Sequence, residues 1–468
     1  MRLPALAQPA ILLFAALAVV GCNRGGEFVP RTTAVQSGGL DQTSAPSSAV
    51  AERLRQLRRQ GQFEAFVSEA LLPHESSTSP ELRLLELEAL LASGRNAEAE
   101  GTALELAEMA RAADDSSRLH EALKLWVLAR FRQAKSLDDP RVRDFVARLP
   151  NEDGRADLLS YWLEAFRDRA PYRMEGPLEL EPIGRASSEQ DSVPAELCAI
   201  AARVNGVEMP TVFIDTGAQH TLLTAGAARE AGVRLGAVST HLVGFAGLEA
   251  RPGVIDSLQV GPLTLHDVPV LVGQSVPLVA TGGQLTLGLD IMHQLRFTID
   301  YPAGQAFVQP AQQPARTHSE SWTVGVWTFP QACLCNVSVK TGSGRAIIDT
   351  GDRRGTFVSS RWARRHLTGY RVADAGLIFK FKSRDLVIEQ LELGTRTLSN
   401  WPVVDTFPNS LERLDVADVL LGHDLLSSYV LTIDLLGREL QLRDSTAAPP
   451  DTAAISIEGR RQTGEVAE

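Results

Sequence analysis

"TVFIDTGAQHTLL" (211–223) and "RAIIDTGDRRGTFV" (345–358) decide how this chain folds. Each is an apolar run that ends in Asp-Thr-Gly and then resumes. One such tripeptide is ordinary turn material, because acidic, hydroxyl and glycine residues suit tight turns. Two of them are a different matter. Each follows a strand-like run, Val212-Phe213-Ile214 or Ala346-Ile347-Ile348, and Asp349 stands 134 residues after Asp215. Downstream, "LTLGLDIMHQLRFTIDYPAGQAFV" (285–308) is answered by "VLLGHDLLSSYVLTIDLLGRELQL" (419–442). Gly288 and Gly422, Asp290 and Asp424, and Asp300 and Asp434 keep the same offset of 134. Between these anchors, "DSLQVGPLTLHDVPVLV" (256–272) matches "EQLELGTRTLSNWPVVD" (389–405) at an offset of 133. Chance does not keep register over three blocks. The chain carries two copies of one β unit.

The doubled Asp-Thr-Gly, each with a downstream Leu-Gly-Leu-Asp or Leu-Gly-His-Asp, resembles the aspartic peptidases of the retropepsin and pepsin group. The resemblance covers about 194–310 and 320–443, and its nearest likeness is to bacterial retropepsin-like proteins. It implies two mainly-β lobes, 194–310 and 319–443, that form a pseudo-dimer within one chain and together supply the aspartate pair. It also implies that the strands ending at Gly288 and Gly422 cross behind the Asp loops, and that Thr216 and Thr350 hydrogen-bond across the pseudo-twofold axis.

Two carboxylates about 3 Å apart cannot both ionise comfortably, so such a pair shares a proton and its apparent pKa values split. The ionised member of Asp215 and Asp349 would activate a water, and the protonated member would polarise the scissile carbonyl. Gly217 and Gly351 are expected to let the loops turn tightly and to bring backbone N–H groups to the carboxylates. No metal and no cofactor is called for. The site residues expected are therefore Asp215 and Asp349, supported by Thr216, Gly217, Thr350, Gly351, Gly288 and Gly422.

The second copy departs from the first. It reads Asp349-Thr350-Gly351-Asp352 where the first has Ala218, and a third carboxylate raises the apparent pKa of the pair unless it points away or meets Arg353 or Arg354. It also has one extra residue after the motif, seen when His220-Thr221-Leu222 is aligned with Gly355-Thr356-Phe357. By position, "LVGFAGLEARPG" (242–253) and "DAGLIFKFKSRD" (374–385) supply the hairpins over the cleft, with Gly244, Phe245, Gly247 and Phe379 as flap candidates. Neither holds the tyrosine of pepsin-type flaps.

Outward from this core, the texture changes. Residues 51–170 carry Leu and Ala at three- and four-residue spacing, a helical pattern. Gly61 and Gly94, 33 residues apart, each separate two apolar stretches, which resembles tetratricopeptide-type helix pairs. Residues 171–193 read as a Pro- and Glu-rich connector, 23–50 as a flexible tether and 444–468 as a disordered tail. The start, Met1-Arg2 followed by "AILLFAALAVV" (10–20), is too short to span a bilayer comfortably. It ends in Val19-Val20-Gly21-Cys22, which resembles the bacterial lipobox. That likeness implies removal of residues 1–22 as a signal peptide up to a lipidated Cys22. It also implies anchoring in the bacterial cell envelope, and Asn23 in place of Asp favours the outer membrane facing the periplasm.

A net charge of −11 and the absence of a basic stripe argue against nucleic acid. Cys198, Cys333 and Cys335 cannot all pair within one chain; a bridge from Cys198 to either of the others and buried free thiols both stand open. No HExxH, no Gly-x-Ser-x-Gly and no phosphate loop competes with the Asp pair. The expected architecture is an all-α, helical-repeat-like N-terminal domain before two retropepsin-like lobes. Two functions follow from it. One is an envelope-anchored aspartic endopeptidase that takes an extended peptide or protein substrate, with a possible protein partner on the helices. The other is a non-catalytic lipoprotein whose lobes bind peptides and whose helices act as a scaffold.

Overall fold

The computed structural model describes residues 45–73, 79–149, 155–183, 199–242, 248–273, 283–313, 321–330, 332–352, 355–367, 377–378, 381–406 and 417–444. A helical N-terminal region precedes a β-rich C-terminal region. The helices are α1 (Ala45–Arg59), α2 (Phe63–Ala70), α3 (Pro80–Ala92), α4 (Asn96–Ala112), α5 (Ser116–Arg132), α6 (Pro140–Ala147) and α7 (Arg155–Ala165). Proline at the first turn of α3 and α6 fits a position whose N–H has no helical partner. The Asp115 and Asp139 side chains accept backbone N–H bonds at the starts of α5 and α6.

One turn geometry recurs. After α1, α3, α4 and α5 a single residue takes positive φ: Gly61 (72°), Gly94 (75°), Asp114 (54°) and Ala134 (50°). The next N–H then reaches back across the helix end in each case: Gln62 to Leu57, Arg95 to Leu90, Asp115 to Ala110 and Lys135 to Arg130. This left-handed closure satisfies orphan carbonyls at a helix end. Glycine marks only two of the four turns, so the spacing of Gly61 and Gly94 reveals only half of the pattern.

Two expected boundaries move. Helix α1 begins at Ala45, inside the stretch read as tether, with Pro46 in its first turn. The stretch read as connector contains β1 (Arg173–Glu175) and β2 (Glu181–Pro182), which join the sheets through Thr264–His266 and Phe307–Val308. Cys22, the signal-peptide stretch and residues 445–468 of the tail lie outside the described residues, as do Gly244, Phe245, Gly247 and Phe379, whereas Asp444 belongs to the last strand.

The next ten strands are β3 (Ala199–Val204), β4 (Val207–Ile214), β5 (Leu222–Thr224), β6 (Arg234–Leu235), β7 (Thr240–Leu242), β8 (Leu248–Val260), β9 (Leu263–Gly273), β10 (Leu285–Leu287), β11 (Leu295–Asp300) and β12 (Gln305–Pro310). Then come β13 (Trp322–Thr328), β14 (Cys333–Val339), β15 (Gly342–Ile348), β16 (Phe357–Ser359) and β17 (Leu377–Ile378). The last are β18 (Phe381–Leu393), β19 (Arg396–Thr406), β20 (Val419–Leu421), β21 (Tyr429–Asp434) and β22 (Glu439–Asp444).

One pairing order occurs twice. β4 runs parallel to β10, β10 antiparallel to β5, and β5 parallel to β9. β15 runs parallel to β20, β20 antiparallel to β16, and β16 parallel to β19. The long hairpins β8–β9 and β18–β19 close each set. The two sets meet where β11 pairs antiparallel with β21. The register is symmetric about Thr298 and Thr432, whose hydroxyls lie 2.9 Å apart. One apolar cluster runs from Ile200 through Leu442, uniting both sets.

One buried ion pair sits off this symmetry. The Arg296 guanidinium donates to Asp434 Oδ2 at 2.7 Å and to the Ala311 carbonyl at 3.1 Å, and the position matching Arg296 in the second set is Val430. Breaking a buried pair leaves an uncompensated charge, so Asp434→Ala should cost about 3–5 kcal/mol. A fall in the urea unfolding midpoint at unchanged slope reads that loss; an unchanged midpoint contradicts it.

Candidate active site

Both Asp-Thr-Gly loops follow the ends of parallel ladders. The Asp215 N–H bonds to the Leu287 carbonyl at 3.0 Å and the Asp349 N–H to the Leu421 carbonyl at 2.8 Å, one residue beyond β4 and β15. The loops come together at the junction of the two sets. The Thr216 N–H donates to Thr350 Oγ1 and the Thr350 N–H to Thr216 Oγ1, both at 3.0 Å. Each hydroxyl in turn donates to a carbonyl of the opposite strand, Thr216 to Ile348 and Thr350 to Ile214. Four buried hydrogen bonds thus lock the loops, each worth about 0.5–1.5 kcal/mol net.

Asp215 and Asp349 face each other inside this lock, 6% and 1% exposed, within hydrogen-bonding reach of one another. The Gly217 N–H donates to Asp215 Oδ1 at 2.8 Å and the Gly351 N–H to Asp349 Oδ1 at 2.9 Å. Neither glycine has positive φ, contrary to the expectation that the turn itself demands glycine. What demands it is proximity. A Cβ on Gly217 would lie 2.6 Å from Asp349 Oδ2, and one on Gly351 would lie 2.5 Å from Asp215 Cγ.

Burial pushes the Asp215 carboxyl up to about 6, against the Gly217 N–H and its bond with Asp349. Burial, then the charges of Asp215 and Asp352, push Asp349 well above the usual carboxylate range. The stronger upward push thus falls on Asp349, whose Oδ2 finds no hydrogen-bond donor among the described residues. Asp352, 2% exposed, raises both. Arg353 and Arg354 lie outside the described residues.

Gly288 and Gly422 lie close against the loops. A Cβ on Gly288 would meet the His220 carbonyl carbon at 2.6 Å, and one on Gly422 the Gly355 oxygen at 2.7 Å. The residues after them brace the loops in a way the motif alone does not announce. Asp290 accepts from Thr221 Oγ1 (2.8 Å) and the Thr221 N–H (3.1 Å). Asp424 accepts from Thr356 Oγ1 (3.1 Å) and the Thr356 N–H (2.9 Å). The constant offset of Asp290 and Asp424 is the sequence signal that could have assigned them this role. His220 is closely surrounded, its imidazole pulled down to about 4 by burial and by the Lys124 ammonium of α5.

Cys333 and Cys335 share the inward face of β14 and are free buried thiols, and Cys198 lies outside the described residues. Burial pushes the Cys333 thiol up to about 12. Among the described residues no group of three or more His, Cys, Asp or Glu is placed to hold a metal ion. Among them, too, no helix is long and apolar enough to cross a membrane.

The family model described as aspartyl protease matches residues 200–291, from β3 through the Asp215 loop to Gly288. The match supports a retropepsin-like aspartic protease domain in this stretch; Asp349 lies beyond it. No curated protein matches the chain.

The buried carboxyls make stability pH-dependent. Asp215 and Asp290 rise from 3.8 to about 6, and Asp349 and Asp424 rise too. The folded chain binds these protons more tightly than the unfolded one. Their contribution is complete below the unfolded value and is lost as pH rises through the folded value. His220 and His293, both lowered by burial, act in the opposite sense below about pH 6.5. A difference measurement isolates Asp215. The Asp215→Asn chain should gain in melting temperature over the parent as pH rises from about 4 to about 7; a shrinking difference contradicts the shift.

Proposed function

We propose that the chain is an envelope-anchored aspartic endopeptidase, in which two retropepsin-like lobes of one polypeptide form a pseudo-dimer around Asp215 and Asp349. The observation that carries the reading is the pair itself: two buried carboxyls facing each other, held by the reciprocal bonds of Thr216 and Thr350. In the mechanism, ionised Asp215 takes a proton from a water as it attacks the scissile carbonyl. Protonated Asp349 donates to the carbonyl oxygen. The gem-diol then collapses: Asp215 passes the proton it took to the leaving nitrogen as the C–N bond breaks, a diol hydroxyl returns a proton to Asp349, and no covalent intermediate forms. The Gly217 and Gly351 N–H groups hold the carboxyls at fixed angles, so little reorganisation is needed.

The substrate is an extended peptide or protein segment, since strand-like main chain suits a cleft between β hairpins. Cys22 carries the lipid anchor, and the chain faces the periplasm from the outer membrane. The helical, tetratricopeptide-like region offers a surface for a protein partner. The second reading is a non-catalytic lipoprotein that binds peptides, and Asp352 beside the pair favours it.

A mixture of unstructured peptides incubated with the protein from about pH 3 to 7 separates the two. Products cut at internal bonds, read by mass spectrometry, support the peptidase. Peptide binding without products at any pH supports the second reading.

A further inference from the structure

Strand alternation fixes which face of each set carries the carboxylates. Along β4, Val212 and Ile214 point into the common β core, whereas Phe213 belongs to a cluster built with α3 through α7. Along β15, Ala346 and Ile348 point into the same core, whereas Ile347 packs with α1, α2 and α3. Side chains alternate along a strand, and both ladders continue through the Asp N–H groups. Asp215 and Asp349 therefore project on the side of Phe213 and Ile347, which is the side the helices occupy. Neighbouring strands agree: Leu222, Phe357 and Leu420 face helices, whereas Leu223, Val358 and Leu421 face the β core.

Helix α3 straddles the seam. Its Leu82, Leu85, Ala89 and Ala92 pack with the second set, and its Leu87, Leu90 and Leu91 belong to the cluster of the first set. Polar contacts pin the same arrangement. Asn336 donates to the Gly61 carbonyl at 2.8 Å and Ser343 to the Gln60 carbonyl at 3.0 Å. Buried Arg132 joins the Leu91 carbonyl of α3 to the Thr328 carbonyl of β13, at 3.0 and 2.9 Å. The Phe63 ring meets Trp327 and Phe329, each at 5.2 Å between centroids.

We propose that the helical region is a built-in cover on the carboxylate-bearing face, and that a peptide reaches Asp215 and Asp349 only when α1–α3 release the second set. The proposal rests on the peptidase reading for its consequence, but the cover itself is a matter of packing. A substrate strand and the apolar side chains of α3 compete for the same strip between Phe213 and Ile347. The resting protein is thus autoinhibited, and whatever draws the helices away, a partner engaging them first of all, switches the site on.

The test uses the full chain carrying Gln60→Cys and Ser343→Cys, which oxidation joins across the cover; buried Cys333 and Cys335 stay out of that reaction. Once the disulfide is verified by mass, peptide cleavage should fall at least about tenfold, and a reductant should restore it. Hydrogen exchange of residues 209–217 and 345–351 should slow in the oxidised form. Phe63→Ala, which loosens the same contact without a cross-link, should raise cleavage several-fold. Equal cleavage in oxidised and reduced protein overturns the cover, as does an unchanged or lower rate in a folded Phe63→Ala chain. If no form cleaves, the peptidase reading fails and exchange alone decides: slower exchange in the oxidised form supports the cover, and equal exchange overturns it.

Discussion

Asp215→Asn and Asp349→Asn should each lower kcat by about 10²- to 10⁴-fold while the chain stays folded. The reasons differ between the two. Asn at 215 cannot take a proton from water, so the attacking oxygen loses its base. Asn at 349 still donates a hydrogen bond to Asp215 and so imitates the protonated state, but it has no proton to give to the carbonyl oxygen. Substrate affinity should therefore survive better in Asp349→Asn than turnover does, and steady-state kcat and KM measured separately expose the split. The double variant should be no worse than the worse single one, because the two act as a unit. Neither substitution should lower the melting temperature near neutral pH, since each removes a buried carboxyl that burial already disfavours in its charged form. Retained cleavage in either variant excludes the pair as the catalytic centre.

Much of this site was legible because its parts repeat. The 134-residue offset that joins Asp215 to Asp349 also joins β10 to β20 and Thr298 to Thr432, and each of those strands and residues takes the matching place in its set. The single extra residue after Asp349 appears in the structure where the alignment put it: β16 begins 135 residues after β5, and β20 only 134 after β10. What repeats in sequence was readable from sequence. What does not repeat was hidden. The Arg296–Asp434 pair uses a residue in one set only. The helix turns at Asp114 and Ala134 use non-glycine residues in a left-handed conformation, closed by the backbone bonds from Asp115 to Ala110 and from Lys135 to Arg130, so composition gave no signal for them. The docking of the helices on the carboxylate-bearing face was hidden for a different reason. Phe213 and Ile347 read as ordinary core residues of a buried strand, and only their neighbours reveal that they face helices. Hydrophobicity reports that a side chain is buried, not against what.

Gly217→Ala and Gly351→Ala should cost activity by at least about 10²-fold, more than their effect on stability would suggest. Both positions accept an L-residue conformation, so an alanine there meets no backbone strain. Its methyl instead enters the space of the opposite carboxyl, 2.6 Å from Asp349 Oδ2 or 2.5 Å from Asp215 Cγ. Real Cβ contacts do not come that close, so one carboxyl must move. Thr216 and Thr350 hold the loops from behind and leave them little freedom to follow. The strain in stability should be about 1–3 kcal/mol, as for an added methyl in a packed interior. Gly101 in α4 supplies the control: a Cβ there meets nothing within 4 Å, so Gly101→Ala should leave cleavage unchanged and stabilise the helix by about 0.5–1 kcal/mol. A pH–rate profile distinguishes displacement from simple unfolding. Separating the carboxyls weakens the repulsion that splits their titrations, so the profile of a folded Gly217→Ala chain should narrow at both limbs. A full-width profile at reduced height would mean that the pair had kept its spacing and that the methyl acts on substrate instead.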